Sequence, residues 1–212
     1  MRTRLSLASA WGVMCLIAVC AAAPAEASGV EPQRVQAVFR ELTLPLRIGE
    51  FFPTHTFHSA ALGNREAGFG LIPGSLQRAL FPTDHRVWRY AVGRIELAGA
   101  TLLITYRDFS TRAADEAVYT LEVLSPWMEE GEKLTIARRM ARVDERDGDT
   151  PMFRSHWSQA SLYEIDAGVR ITIWISQMDI EIDSDDPDRM VRVRRDYLVR
   201  HDGTIVPRHA YW

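Results

Sequence analysis

The sequence predicts an all-β protein: an antiparallel meander of about eight strands in two four-stranded units, arranged as a sandwich, a partial propeller or a half-closed barrel, with one N-terminal amphipathic helix. Three observations predict it. From Val169 to Ile175 the apolar residues fall on every second position, the period of a strand with one buried face. Runs of this kind are separated by the short turn signals Ala98-Gly99, Asp147-Gly148-Asp149, Asp166-Ala167-Gly168 and Asp202-Gly203. No long helical periodicity interrupts them.

The chain opens with Arg2 and Arg4, an apolar run from Leu5 to Val19 and the small-x-small site Ala25-Glu26-Ala27. This is the pattern of a secretory signal peptide over 1–27, with an apolar core too short for a comfortable membrane span. The expectation is export to the periplasm or the exterior of a bacterium as a single β-rich domain, 28–212, with no transmembrane segment. Ile17-Ala18-Val19-Cys20 is similar to a lipobox, but Val19 stands where a small residue is usual, so anchoring through Cys20 is the lesser expectation. Both cysteines, Cys15 and Cys20, lie inside this leader. A mature chain starting at Ser28 has no thiol for a disulfide, a nucleophile or a metal site, and must rely on its core.

Pro32 and the spacing of Val35, Val38, Phe39 and Leu42 predict a helix over 33–42 that covers part of the sheet. Residues 45–74 are irregular, punctuated by glycine and proline, yet rich in Phe and Leu, so they pack on the sheet rather than link. Ser75 to Phe81 reads as a short helix stopped by Pro82.

Strands of the first unit (86–147) are read at 87–97, 100–109, 117–124 and 134–143. Leu102-Leu103-Ile104 is apolar on successive positions, which predicts cover on both faces. Strands of the second unit (151–212) are read at 152–165, 169–183, 188–201 and 204–210. Pro207, which cannot donate to a ladder, marks the last as an edge.

Pairings follow from the turns. A three-residue loop at Asp166-Ala167-Gly168 sets Ile165 opposite Val169 and Tyr163 opposite Ile171; a two-residue loop at Asp202-Gly203 sets Val199 opposite Val206. After Gln177 the apolar positions switch parity to Met178, Ile180 and Ile182, which predicts a β-bulge. Ile175 and Ser176 together then oppose Arg195, Asp179 opposes Arg192, Met178 opposes Val193, Ile180 opposes Val191, and Ile173 opposes Tyr197.

Without the leader, 23 basic and 27 acidic residues remain, a net charge near −4 that argues against nucleic acid as a general partner. Lys133 is the single lysine; a GC-rich genome favouring arginine codons is the plainer account, and a surface selected for bidentate anion binding by arginine is the functional alternative.

Candidate sites each have a plain structural reading beside the functional one. His55-x-x-His58 has metal-ligand spacing but no third ligand, and reads better as loop histidines. Asp179, Glu181, Asp183, Asp185, Asp186 and Asp188 lack the glycine and spacing of a calcium loop, and read as a solvated strand end. No metal or cofactor is expected. Arg189, Arg192, Arg194, Arg195 and Arg200 either bridge that acidic strand or make an anion-binding face, and Arg138, Arg139 and Arg142 carry the same two readings. Ser155 and His156 adjoin in a strand and point to opposite faces, so they form no dyad; nor is there a G-x-S-x-G elbow. Among the tryptophans Trp88, Trp127, Trp157, Trp174 and Trp212, Trp174 stands on the parity opposite Ile173 and Ile175 and suits a half-exposed ligand platform. Trp174, Arg192 and Arg194 are therefore the candidate ligand-binding residues, and no catalytic residue is named.

The leading functional expectation is a non-catalytic exported β-domain that binds a protein or a small ligand. One alternative is a lipocalin-like carrier of an apolar small molecule. Another is a periplasmic hydrolase using dispersed His and Asp residues. An outer-membrane barrel is opposed by the arginines on the strand faces, each costing roughly 2–4 kcal/mol at a bilayer midplane.

Overall fold

The computed structural model describes residues 30–50, 69–83, 87–110, 114–144, 152–181 and 189–208. Residues 1–27, the His55-x-x-His58 pair, His209, Trp212 and residues 182–188, with Asp183, Asp185, Asp186 and Asp188 of the acidic run, lie outside the described residues. The order of elements is α1 (Pro32–Val38), β1 (Leu46–Ile48), β2 (Gly70–Leu71), α2 (Gly74–Leu80), β3 (Tyr90–Glu96), β4 (Thr101–Ser110), β5 (Ala114–Leu124), β6 (Glu130–Asp144), β7 (Met152–Ile165), β8 (Gly168–Glu181), β9 (Arg189–Arg200) and β10 (Ile205–Arg208).

The all-β reading holds. The strands form one antiparallel sheet in the order β10-β9-β8-β7-β6-β5-β4-β3-β2, with β1 paired to β7 off this path; it does not close into a barrel. The eight expected strands are β3 to β10, and Pro207 lies in β10 at the end of the strand order. Two further short strands, β1 and β2, come from the segment read as irregular. The two ends of the sheet approach each other at one corner, where the Gly99 N–H donates to the His201 carbonyl at 2.9 Å.

Residues 40–48 span the sheet from its β3 side to β7. Leu42 N–H donates to the Arg94 carbonyl and Arg94 N–H to the Arg40 carbonyl, both at 2.8 Å. Leu46 then pairs with Leu162, and Ile48 with Ala160. Helix α1 therefore stops at Val38, short of the expected Leu42. The chain turns extended because residues 40–42 find ladder partners on β3 that a further helical turn would forfeit. Leu42 packs into the main core instead of beside Val35 and Phe39.

Two apolar clusters hold the fold. The larger takes Leu102, Ile104, Tyr106, Tyr119, Leu121, Leu162, Ile171, Ile173 and Val199 among others, from both halves of the strand order. The smaller lies beneath α1 and α2, where Val35, Phe39, Leu76, Leu80 and Phe81 meet Leu103 and Leu124. Leu102, Leu103 and Ile104 are all fully buried, as their unbroken apolar run predicts for a strand covered on both faces.

The expected bulge in β8 is absent. From Gly168↔Arg200 to Asp179↔Arg189 the β8–β9 ladder keeps one register, so Ile175 faces Val193, Met178 faces Met190 and Ile173 faces Arg195 alone. The expected pairings of Asp179 with Arg192, Met178 with Val193 and Ile173 with Tyr197 are all displaced. The physical reason is burial. The bulge argument requires both halves of the strand to bury a face, whereas the distal half runs out of the core. Val191 and Val193 are 55% and 40% exposed, and Gln177 is exposed. Where Gln177, Val191 and Val193 already stand in solvent, no buried face forces the parity to be corrected.

The two hairpin loops are interchanged relative to expectation. Asp166 and Ala167 alone make the β7–β8 turn, so Ile165 pairs with Gly168 and Tyr163 with Arg170. His201, Asp202 and Gly203 make a three-residue β9–β10 loop, closed by Arg200 N–H to the Thr204 carbonyl at 3.0 Å, and Val199 pairs with Ile205. Gly203, at φ +89°, supplies the left-handed residue such a loop needs.

Candidate functional site: an arginine-tryptophan groove on β7 to β9

Directly opposed residues in a ladder point to the same side of a sheet. The regular register therefore puts Ser161, Thr172 and Asp196 in one row, Tyr163 and Arg170 in the next, and Trp174 and Arg194 on the other flank. Together with Ile165 all of these except Asp196 line a groove of about 440 Å³, and Asp196 contacts Thr172, Arg170 and Arg194 of that lining. Trp174 and Tyr163 remain 46% and 43% exposed at its sides.

Asp196 organises the groove. It is 6% exposed and accepts a hydrogen bond from the Thr172 hydroxyl at 2.6 Å. Arg194 approaches the same carboxylate with Nε at 3.0 Å and Nη2 at 3.2 Å, and Arg170 with Nη2 at 3.6 Å. Burial by itself would raise the carboxyl's pKa, but the Thr172 and Arg194 hydrogen bonds and the charges of Arg194 and Arg170 outweigh it and hold the group below its usual range. An ionised Asp196 in turn fixes both guanidiniums. The Arg194 Cζ stands 5.2 Å from the centre of the Trp174 ring, a cation-π pair. Two cations and one anion leave the groove with a net positive wall beside an aromatic one.

Of the three candidate residues, the structure brings Trp174 and Arg194 together as a cross-strand pair. Arg192 faces Ser176, one row further out on the same side, and is exposed rather than part of the groove wall. Arg170, Thr172, Tyr163 and Asp196 are site residues that the sequence reading passes over. In the β8–β9 ladder Asp179 stands opposite Arg189 rather than Arg192, and Arg194 finds a partner two residues along its own strand, in Asp196. Arg138 on β6 pairs with Glu116 on β5 at 2.8 Å.

The histidines do not gather. His156 lies on β7 opposite Met140 and Gln177, and His201 sits in the β9–β10 loop with Nε2 at 2.9 Å from the Asp166 carbonyl oxygen. Among the described residues no group of three His, Cys, Asp or Glu is placed to hold a metal ion. None of their helices is long and apolar enough to cross a membrane.

A second hollow of about 310 Å³ lies between β1, β3 and β5. Leu42, Leu46, Ile48, Phe69, Val92 and Tyr119 line it, with Arg40, Arg47 and Glu50 at its rim. Tyr119 packs on Tyr106 with ring centres 4.8 Å apart, and burial pushes its phenol pKa well above the usual value.

Set against protein families, curated proteins and solved structures, the chain matches none.

Proposed function

We propose that this protein is an exported, non-catalytic binding domain whose ligand is a small ring-bearing anion held in the Trp174–Arg194 groove. The observation that carries the reading is the buried Asp196, which holds two arginines in fixed geometry beside a half-exposed tryptophan. A buried carboxylate is retained at a cost in desolvation, and here it orients donors on a concave surface. A guanidinium carries five N–H donors, so Asp196 leaves donors of both arginines for a carboxylate, phosphate or sulfate, while Trp174 and Tyr163 offer ring faces for stacking. The lining contains no histidine, cysteine, lysine or carboxylate, and the adjoining Asp196 is committed to Arg170, Arg194 and Thr172, which favours binding over catalysis. Export rests on the N-terminal leader pattern.

The test is a thermal-shift and calorimetric screen of aromatic and sugar carboxylates, phosphates and sulfates, with Trp174→Ala as control. The expected result is a ligand that raises the melting temperature of the wild type and loses about tenfold or more in affinity on Trp174→Ala. A tight ligand whose affinity ignores both Trp174→Ala and Arg194→Ala refutes the groove.

The hollow beside Tyr119 supports a second reading, a carrier of an apolar molecule, through Leu42, Leu46, Ile48, Phe69 and Val92, with Arg40, Arg47 and Glu50 in the same lining. An apolar ligand displaced by Leu46→Trp and indifferent to Trp174→Ala separates the two.

A further inference from the structure

The groove does not end at Trp174. On β7, Trp157 is opposite Ser176 and Gln159 is opposite Trp174, so Trp157, Gln159, Ser161 and Tyr163 share the groove's side of the sheet. Trp157 is 44% exposed, and its indole N–H is anchored on the Gly49 carbonyl at 3.2 Å. Exposed rings thus mark three stations, Trp157, Trp174 and Tyr163. From Trp157 to Tyr163 is six residue steps, about 20 Å of strand at roughly 3.3 Å each. Gln159 and Ser161 stand between the rings and Ser176 beside Trp157, an amide and two hydroxyls. Arginines accompany the strip along its length: Arg139 opposite Trp157, Arg192 opposite Ser176, Arg194 opposite Trp174 and Arg170 opposite Tyr163.

Resting on the groove reading, we propose that the ligand is an extended chain of anionic sugars lying along β7 and β8 from Tyr163 to Trp157. Each feature matches one property of such a chain. Sugar rings present apolar faces that stack on tryptophan and tyrosine. Their hydroxyls suit Gln159, Ser161 and Ser176. Regularly spaced carboxylates or sulfates suit arginines placed row by row. Single-stranded nucleic acid shares the charge and the stacking, but successive stacked bases call for successive aromatic platforms, whereas here Gln159 and Ser161 stand between the rings of Trp157 and Tyr163.

The test uses the full chain and four probes: oligogalacturonates from monomer to hexamer, a chondroitin sulfate hexamer, an uncharged cello-hexaose and a single-stranded oligonucleotide. Calorimetry compares the wild type with Trp157→Ala and Trp174→Ala, whose folding is checked by melting temperature. The expected result is that a hexamer of one anionic series binds about tenfold or more tighter than its short members, while cello-hexaose does not bind. Trp157→Ala should weaken the hexamer by about tenfold and leave the shortest bound member unchanged. Three results overturn the extended site: no gain in affinity with length, a hexamer indifferent to Trp157→Ala, or preference for the oligonucleotide. The first two would leave the groove reading standing if the short anion still depends on Trp174. Absence of binding by both sugar series overturns the glycan, and the broader anion screen then decides separately whether the groove binds anything.

Discussion

Arg89 and Glu122 form an ion pair that lies almost wholly inside the protein, at 4% and 1% exposure. Glu122 stands in the middle of β5, between Leu103 of β4 and Lys133 of β6. The Arg89 guanidinium is 4.5 Å from the centre of the Phe81 ring, just past α2. The pair sits beside the cluster under the helices. Glu122→Gln keeps the side-chain shape and removes the negative charge from beside a buried guanidinium. Removing one partner of a buried pair costs about 3–5 kcal/mol, against about 0–1 kcal/mol for an exposed one. That loss is a large fraction of the roughly 5–15 kcal/mol that holds a domain together. Equilibrium urea unfolding measures it, with Glu50→Gln as control, because the Arg47–Glu50 pair is exposed on both sides. The double variant Arg89→Met, Glu122→Leu removes both charges and should recover most of the loss, since apolar replacement of a whole buried pair is often neutral or stabilising. It also preserves the test if Glu122→Gln fails to fold. A Glu122→Gln loss below about 1 kcal/mol, or a double variant no better than the single, refutes the reasoning.

Two further predictions concern pH. Burial first, then the charges of Arg138 and Arg195, lower the His156 pKa below its usual 6.5 against the pull of Glu116. The folded state therefore holds that proton less well than the unfolded chain, so stability is full above 6.5 and falls as pH drops from 6.5 through the folded value. His156→Gln should flatten that part of the stability curve, and an unchanged slope in urea midpoints would count against it. Asp196, with its pKa lowered below 3.8, stabilises fully above 3.8 and loses that contribution as pH falls through its folded value. Asp196→Asn should be less stable than the wild type at neutral pH and converge with it in acid; a difference between the two that is the same at both pH values would show the carboxylate is not what stabilises the site.

The alternation of apolar residues located every long strand, and the double-sided run at Leu102–Ile104 located the layer beneath the helices. Register was harder to read because it depends on loops that look alike in sequence. Asp166-Ala167-Gly168 and His201-Asp202-Gly203 both end in glycine, but the glycines serve different ends. Gly203 takes the left-handed position of a three-residue loop, with the Asp202 carboxylate accepting the Thr204 N–H at 2.9 Å. Gly168 is already in the ladder, where a Cβ would run into the Val199 carbonyl. Only the partner strand distinguishes them. The parity switch in β8 misleads for a related reason. Alternation reports which face is apolar, and says nothing of where along its length a strand leaves the core.

The candidate site was half legible for the same cause. Trp174 could be picked out because its parity opposes Ile173 and Ile175, and parity survives an error in register. Arg194 shares a side with Trp174 in the ladder that formed, with the guanidinium over the ring. Asp196 could not be picked out, because an aspartate between Arg195 and Tyr197 in a charged strand looks solvated. Its burial depends on Thr172 standing opposite, and that pairing follows only when the β8–β9 register runs without a bulge. A bulge before Thr172 would put another residue across from Asp196 and part the carboxylate from its hydroxyl partner. The regular ladder that leaves Val191 and Val193 in solvent is therefore the same ladder that assembles Thr172, Asp196, Arg194 and Trp174 into one wall. An apolar surface at the strand ends is the cost of a fixed pair of arginines beside an open ring.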